Sequence, residues 1–448
     1  SALKEGTLTI ENMMIAIDEE AEKVVIPKEA TIPIGYFDLS NTNVKEVVFS
    51  DFSQAPRFHL LYYNGIITIN DDTFIPLDKM QSILQKMYCA SFFQITDKNK
   101  LYCTVDGVVY SKDKKTLIQY PKGRKGGAFE IPEGTEIIYK TAFSDTNITA
   151  VKIPDSVYRI MFMAFCNSKI EHIEFNHTLT DFGAFNDTGL FTGCKSLKNV
   201  KIPSHVKRLC NNMFERCNLQ LEDITLCDGI EYIPDSALQF KSDKISEISF
   251  PASLKKIGRC YFSKNIKCVK AEGRTPEGLL NNLLDCSYHT NNSQITGPFV
   301  LELRITENHQ EYIVYLPTHL SSDKIIELDT FFHNFSPADM DNEYLDTLFE
   351  YCPCYAIQYE TVFELYKLTG KQIYKDFLKK SKKTIVKRFF DSNREEDLVI
   401  FLKLGFFARS SLDNFLKIAN EKGMSVLSAY ILTEQQKKRP KKSTTLTI

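Results

Sequence analysis

The sequence predicts a mixed α and β chain: a solenoid of stacked β repeats with a β-hairpin insert, followed by a C-terminal α-helical module. Three observations predict it. A phrase recurs, as "IPEGTEIIYKTAF" from Ile131, "IPDSVYRIMFMAF" from Ile153 and "IPSHVKRLCNNMF" from Ile202. The step between copies is nearly constant. After Pro337 the apolar residues change to three- and four-residue spacing, the period of helices.

The repeat comes first, because missing it would misread the whole fold. Anchoring on the strand-ending "IP" or its substitute aligns Ile26, Ile131, Ile153, Phe175, Ile202, Leu226 and Phe250, with steps of 22, 22, 27, 24 and 24 residues from Ile131 onward. Each anchor closes a six-residue pattern with apolar first, fourth and sixth places. The patterns are Ile148-Val151-Ile153, Ile170-Ile173-Phe175, Leu197-Val200-Ile202, Leu221-Ile224-Leu226 and Ile245-Ile248-Phe250. The fourth and sixth places share one strand face, since side chains alternate. A period in the low twenties with this pattern is that of a leucine-rich repeat solenoid. Three buried aliphatics contribute about 1.5–3 kcal/mol each, whereas ordering the backbone costs about 1–2 kcal/mol per residue. One copy cannot fold alone, so neighbours must complete the core. Val151, Ile173, Val200, Ile224 and Ile248 are therefore expected in one buried column.

The wording of the copies, IP-x-x-V-x-x-I followed by AF-x-x-C-x-x-L, resembles the BspA-type leucine-rich repeat family. "FTGCKSLKNVKIPSHVKRL" (Phe191 to Leu209) is close to that family's consensus, and "DGVVYSKDKKTLIQYPKG" (Asp106 to Gly123) resembles the hairpin such proteins insert between repeat blocks. The resemblance covers roughly Val24 to Ala271. It departs after Phe175, where the copy around "GAFNDT" has the longest step and no Pro, and after Ile26, where "ATIPIGYF" is irregular. The resemblance implies a surface for binding or adhesion. It implies no enzyme and names no ligand.

Five segments follow from these patterns. Residues 1–56 read as an N-terminal cap and first repeat, and 57–127 as an insert that interrupts the series. That insert holds the strand-like "HLLYYNGIITIN", the helix-like "LDKMQSILQKMY" and the hairpin. Residues 128–271 form the main repeat block. Residues 272–335 are a polar linker and a second hairpin, "PFVLELRI" and "EYIVYLP" joined by "TENHQ". Residues 336–448 read as short antiparallel helices with a basic tail. Gly370 and Gly423 stand at helix stops, and Ser410 or Ser411 at a helix start.

Bulk properties exclude several classes. Of 448 residues, 43% are hydrophobic and 25% charged, which fits a packed chain. Lys plus Arg number 55 against 57 Asp plus Glu, a net charge of -2, so the whole chain has no pull toward nucleic acid or anionic lipid. No apolar run reaches the roughly 18 residues of a membrane helix. "SALKEGTLTIENMMIAIDEE" contains no signal peptide. Because it does not begin with Met, export stays open, and both cytoplasmic and cell-surface locations are compatible.

Candidate chemistry is sparse. Three residues beyond the "AF" aromatic stand Ser40, Thr146, Ser168, Cys194, Cys217, Lys241 and Asn265, a ladder of side chains suited to satisfying turn backbone. Cys194 and Cys217 are thus expected as buried, reduced, structural thiols. Cys352-Pro-Cys354 is a close pair with no His nearby, and two thiols at a helix start are preferred to a zinc site. The eight histidines give no HExxH, and His172 and His177 are not expected to converge. "KGRKGG" (Lys122 to Gly127) opens no P-loop and reads as a flexible turn. Glu395-Glu396 suits a helix start. The basic run from Lys437 to Lys442 reads as a solvated tail. No catalytic residue, cofactor or metal ligand is assigned.

The outward places of the strands read Ala150/Lys152, His172/Glu174, Asn199/Lys201, Asp223/Thr225, Glu247/Ser249 and Cys268/Lys270. They contain no aromatic and no Arg, the types that dominate protein hot spots. Aromatics concentrate instead in "RFHLLYY" and "FFHNF". The expected partner-binding residues are therefore Tyr62, Tyr63, Phe331 and Phe332, with His172, Glu174 and Lys201 as the competing strand-face set. The chain is expected to be a non-enzymatic scaffold binding a protein partner. Two alternatives stand beside it: an exported adhesin of the same fold, and an enzyme with its site in residues 272–448.

Overall fold

The computed structural model describes residues 3–4, 7–10, 13–18, 20–29, 37–39, 42–179, 182, 188–218, 224–238, 246–260, 262, 265–284 and 298–437. Short parallel strands stack in the register the repeat demands. Ala128–Glu130, Ala150–Lys152 and His172–Glu174 align Phe129 with Val151 and Ile173. Val200–Ile202 lies on Ile224–Leu226, and Glu247–Phe250 on Cys268–Glu272. Val151, Val200 and Ile248 are buried, as the column requires. Ile173 is only half-buried, because among the described strands His172–Glu174 is the edge of its sheet, next to the long copy. The side chain of Ile224, and all of Leu221 and Ile245, lie outside the described residues.

The chain turns after each Pro into a second parallel row, seen at Ile137–Ile138 on Arg159–Ile160 and at Tyr232–Ile233 on Lys256–Ile257. The third side is a repeated turn around the "AF" aromatic. Residues two before and two after Phe143, Phe165, Phe191 and Phe214 all have positive φ: Thr141 and Asp145, Met163 and Asn167, Gly189 and Gly193, Asn212 and Arg216. That geometry aims alternate amides at the next coil. Phe143 N–H donates to Ala164 O at 2.7 Å, Phe165 to Leu190 O at 3.1 Å and Phe191 to Met213 O at 2.9 Å. The four rings stack along the axis with centroids 4.9, 5.4 and 5.7 Å apart. Each coil thus satisfies its backbone and its core through its neighbours.

The insert does not interrupt the solenoid. Ile66–Ile69 and Phe92–Ile95 are further parallel strands beside Glu46–Phe49 and Lys23–Ile26, so Val24, Val47, Ile67 and Phe93 share one buried register. After Phe49, Ile69 and Ile95 the chain lacks the Pro of the "IP" anchor. Between these strands lie a 3-10 helix, Phe52–Arg57, and helix α1, Leu77–Leu84. The hairpin Tyr102–Val105 and Val108–Ser111 continues into Thr116–Gln119, which pairs in parallel with Ile137–Ile138. It therefore joins the second row of the solenoid rather than standing between blocks.

At the other end, Val300–Glu307 lies parallel on Cys268–Glu272 and antiparallel to Gln310–Pro317. The second hairpin is the end of the same sheet. Helices follow: α2 Leu279–Leu283 precedes the hairpin, and α3 Ser322–Asn334, α4 Asn342–Thr347, α5 Tyr355–Thr369, α6 Gln372–Lys380, α7 Lys382–Asp391, α8 Glu395–Lys403, α9 Arg409–Glu421 and α10 Ser425–Lys437 come after it. Helix α3 begins before Pro337, so the helical period starts earlier than the sequence indicated. Its buried residues Ile325, Leu328, Asp329 and Phe332 lie at helical spacing, and the polar member hid the stripe. Gly370 does end α5 in the left-handed region, at φ 66°. The N-cap of α9 is Ala408, not Ser410 or Ser411, which lie in its first turn.

Candidate interaction surface

The aromatic segment after the 3-10 helix splits in two. Asp51 caps that helix by accepting from Ser53 N–H at 3.0 Å, and buried Asp71 accepts from Phe52 N–H at 2.6 Å. Burial raises the Asp71 carboxyl above its ordinary value, against those hydrogen bonds. With the helix so fixed, Phe58 packs edge-on against Phe49 at 5.4 Å. Leu60 and Tyr63 then point inward while Leu61 and Tyr62 point out, Tyr62 with 73% of its surface exposed. Tyr63 folds over its own turn, its hydroxyl donating to Ile66 O at 3.4 Å, and burial first, then Glu46, raises its pKa. Beside Leu61 is a depression of about 190 Å³ floored by Phe58, Leu60, Ile83 and Met87.

The second aromatic segment is mostly core. Phe332 is fully buried and Phe331 half-buried against it, ring centroids 5.4 Å apart. Phe335, which stacks on Phe331 at 5.5 Å, is the ring that reaches solvent. Tyr63 and Phe332 therefore leave the expected contact set. Their burial follows from the inward alternation of one turn and the inward face of one helix, neither of which their neighbours in sequence share.

His172, Glu174 and Lys201 are exposed on the strand face. Elsewhere on the solenoid, charges pair from coil to coil. Glu231 takes Lys255 at 2.6 Å and Lys207 at 3.5 Å, and Lys270 meets Glu247 at 2.6 Å. Such exposed pairs contribute little individually, but they leave a face that is costly to desolvate. A cleft of about 730 Å³ opens where the solenoid meets α5, lined by Lys267, Phe299, Glu302, Glu364 and Leu368. Nothing in the repeat period pointed to it, since it needs residues from two architectures.

The profile of the BspA type Leucine rich repeat region matches residues 129–269 in six copies. Residues 129–269 are a BspA-type leucine-rich repeat region. Three similar solved structures are bacterial. A leucine rich cell surface protein from Faecalibacterium prausnitzii A2-165 is 23% identical over 54% of this chain and 60% of its own, with a TM-score of 0.30. A leucine-rich repeat protein from Eubacterium ventriosum ATCC 27560 is 17% identical over 53% of this chain and 81% of its own, with a TM-score of 0.34. The Pneumococcal vaccine antigen PcpA is 18% identical over 58% and 64%, with a TM-score of 0.32. The chain thus spans under two thirds of the first and third of these proteins. No curated protein matches it significantly.

Within the BspA-type region the expected side-chain ladder is present. Thr146 Oγ1 donates to Phe143 O at 2.7 Å, Cys194 Sγ to Phe165 O at 2.9 Å and Cys217 Sγ to Phe191 O at 3.0 Å. The eleven described cysteines are all free, and burial pushes the Cys194 thiol up to about 12. Ser40 and Lys241 of that ladder lie outside the described residues. His177 meets His205, 6.1 Å away, and not His172.

Other candidates resolve into structure. Cys352 Sγ contacts Thr361 Oγ1 at 3.8 Å while Cys354 is exposed, and burial raises the Cys352 thiol to about 12. Among the described residues no group of three or more His, Cys, Asp or Glu is placed to hold a metal ion. "KGRKGG" is not a loose turn. Lys122 is buried and donates to Gln85 O and Asp145, both at 3.1 Å, and burial lowers its pKa against the pull of Asp145. A Cβ on Gly123 would stand 1.7 Å from Cys89 O, so only glycine fits there. Among the described residues no helix is long and apolar enough to cross a membrane. The basic tail beyond Lys437 lies outside them.

Proposed function

We propose that the chain is a non-enzymatic interaction protein, a solenoid scaffold that takes a protein partner at the apolar patch of Leu61 and Tyr62. The observation that supports this reading is the pairing of two exposed, large apolar side chains with an adjoining apolar depression. Covering a Leu or an aromatic ring contributes roughly 1.5–3 kcal/mol, and aromatic anchors beside pockets are the usual hot spots. The strand face offers Glu174 and Lys201, types that are depleted from interface cores. No side chain is assigned a catalytic role.

The test uses the intact chain as bait, followed by direct binding to the identified partner. Tyr62→Ala and Leu61→Glu should weaken binding by tenfold or more, on the order of a hot-spot loss, with the melting temperature retained. Charge reversals at His172, Glu174 and Lys201 should leave it within about twofold. The opposite pattern, with the strand-face variants losing the partner and Tyr62→Ala keeping it, would place the binding site on the solenoid strands.

A further inference from the structure

Charge in this chain is balanced only as a whole. Residues 371–448 carry 18 Lys and Arg against 8 Asp and Glu, net +10, whereas residues 1–370 carry 37 against 49, net -12. The described part of this stretch, residues 371–437, contains a groove. Helices α7 and α9 form its walls and the 404–408 turn closes one end, enclosing about 510 Å³. Its floor is aromatic: Phe415 lies 5.7 Å from Phe390 and 5.0 Å, edge-on, from Phe407. Phe390 is buried, but Phe407 and Phe415 are only half-covered. The rim carries Lys382, Lys383, Lys387 and Lys422, with Asp391 as the acidic lining residue. Lys382 is held by Phe406 O at 2.6 Å and Lys422 contacts Asn393 at 3.4 Å, while Lys383 and Lys387 are exposed.

We propose that this groove docks an acidic, amphipathic helical segment of a protein partner. An apolar floor between two helices, with no free strand edge, matches the helix-in-groove mode, which reads anchors at i, i+3, i+4 and i+7. The lysine rim selects carboxylates on the flanks of such a helix. Bases of a single strand would also stack on exposed rings, so a single-stranded oligonucleotide is the competing occupant that the test must reject. A flat bilayer cannot reach a concave floor. The proposal rests on the reading of the chain as an interaction protein, but it uses residues remote in sequence from Leu61 and Tyr62, so each can fail without the other.

The experiment titrates the full chain into a fluorescein-labelled peptide of about 18 residues, with Leu and Phe at helical anchor spacing and Glu elsewhere. Controls are the same composition scrambled to break the apolar stripe, the Lys-for-Glu peptide, a single-stranded oligonucleotide and phosphatidylserine vesicles. Saturable binding of the acidic helix is expected, at least about tenfold tighter than the scrambled or Lys peptide. The Lys383→Glu, Lys387→Glu double variant should lose that binding and gain the Lys peptide, with an unchanged melting temperature. Leu61→Glu should bind the peptide like the parent chain. The proposal is overturned by absence of saturable binding, by equal binding of the scrambled peptide, or by indifference to the double variant. Binding of the oligonucleotide or vesicles through Lys383 and Lys387, in place of the peptide, would equally reject it.

Discussion

The carboxylate of Asp329 accepts a hydrogen bond from the amide of Leu280 at 2.8 Å, across 49 residues of chain. It takes a second from Gly278 N–H, also at 2.8 Å. Helix α3 is thereby fastened to the last coil of the solenoid, and one core continues from Leu301 and Leu303 in the hairpin to Leu328, Phe332 and Leu348. The first helix of the C-terminal part is a plug, so the solenoid's final apolar surface is not left open to water.

Asp329→Ala should cost about 1–3 kcal/mol in urea unfolding, the penalty for stranding buried donors. Asp329→Asn, which keeps one acceptor, should cost less. Burial raises the Asp329 carboxyl above 3.8 in the folded chain, against its amide bonds. A raised folded value means the group's contribution is full below the ordinary carboxyl range and falls as pH rises through the folded value. The advantage of the parent chain over Asp329→Asn should accordingly shrink from acid toward neutral pH.

Phe165 is stacked on both sides, by Phe143 and Phe191. Phe165→Ala should lose about 3–5 kcal/mol, the usual range for an emptied aromatic site. Phe165→Leu should lose less, since it keeps most of the volume. Thermal melts of the two variants check the order. Equal losses would mean that ring stacking outweighs volume in this column.

Cys194 and Cys217 should resist Ellman's reagent in the native protein at pH 8, while exposed Cys354 reacts at once. Both should label after unfolding. Burial lifts Cys194 from 9.0 to about 12 in the folded state. Its contribution to stability is then complete below pH 9 and is lost as pH rises toward 12. Serine at position 194 should flatten that alkaline loss.

An in-register deletion of residues 132–153, the 22-residue step from Ile131 to Ile153, should leave soluble protein. It rejoins equivalent points of neighbouring coils, so strand, turn and ring columns stay continuous. A deletion of half that length shifts the strand against its neighbours and strands half a turn. Comparing soluble yield and helix-plus-strand content by circular dichroism decides it, and equal collapse of both would contradict stacking by nearest neighbours.

The regular coils were legible because one residue type did one job in each copy. Phe143, Phe165, Phe191 and Phe214 recur at one place in each copy and form one stack. The coils of the insert were not legible. Their strands Ile66–Ile69 and Phe92–Ile95 bury the same positions, but a 3-10 helix and α1 replace the turn that carries the recognisable words. Tyr62 and Tyr63 show a finer limit. Adjacent and identical in type, they face opposite ways because the turn before Gly65 rotates one of them onto its own backbone.

What the sequence determined by itself was the repeat, its register and the chemistry of its ladders, since these depend on spacing that a local period preserves. It also determined that the strand face is polar. Only the tertiary structure decided which aromatics are surface and which are core, and that the hairpins join the solenoid rather than decorate it. The clefts at Glu364 and at Phe415 likewise exist only once distant segments pack. Burial and concavity are properties of contacts between elements, and no period within one element encodes them.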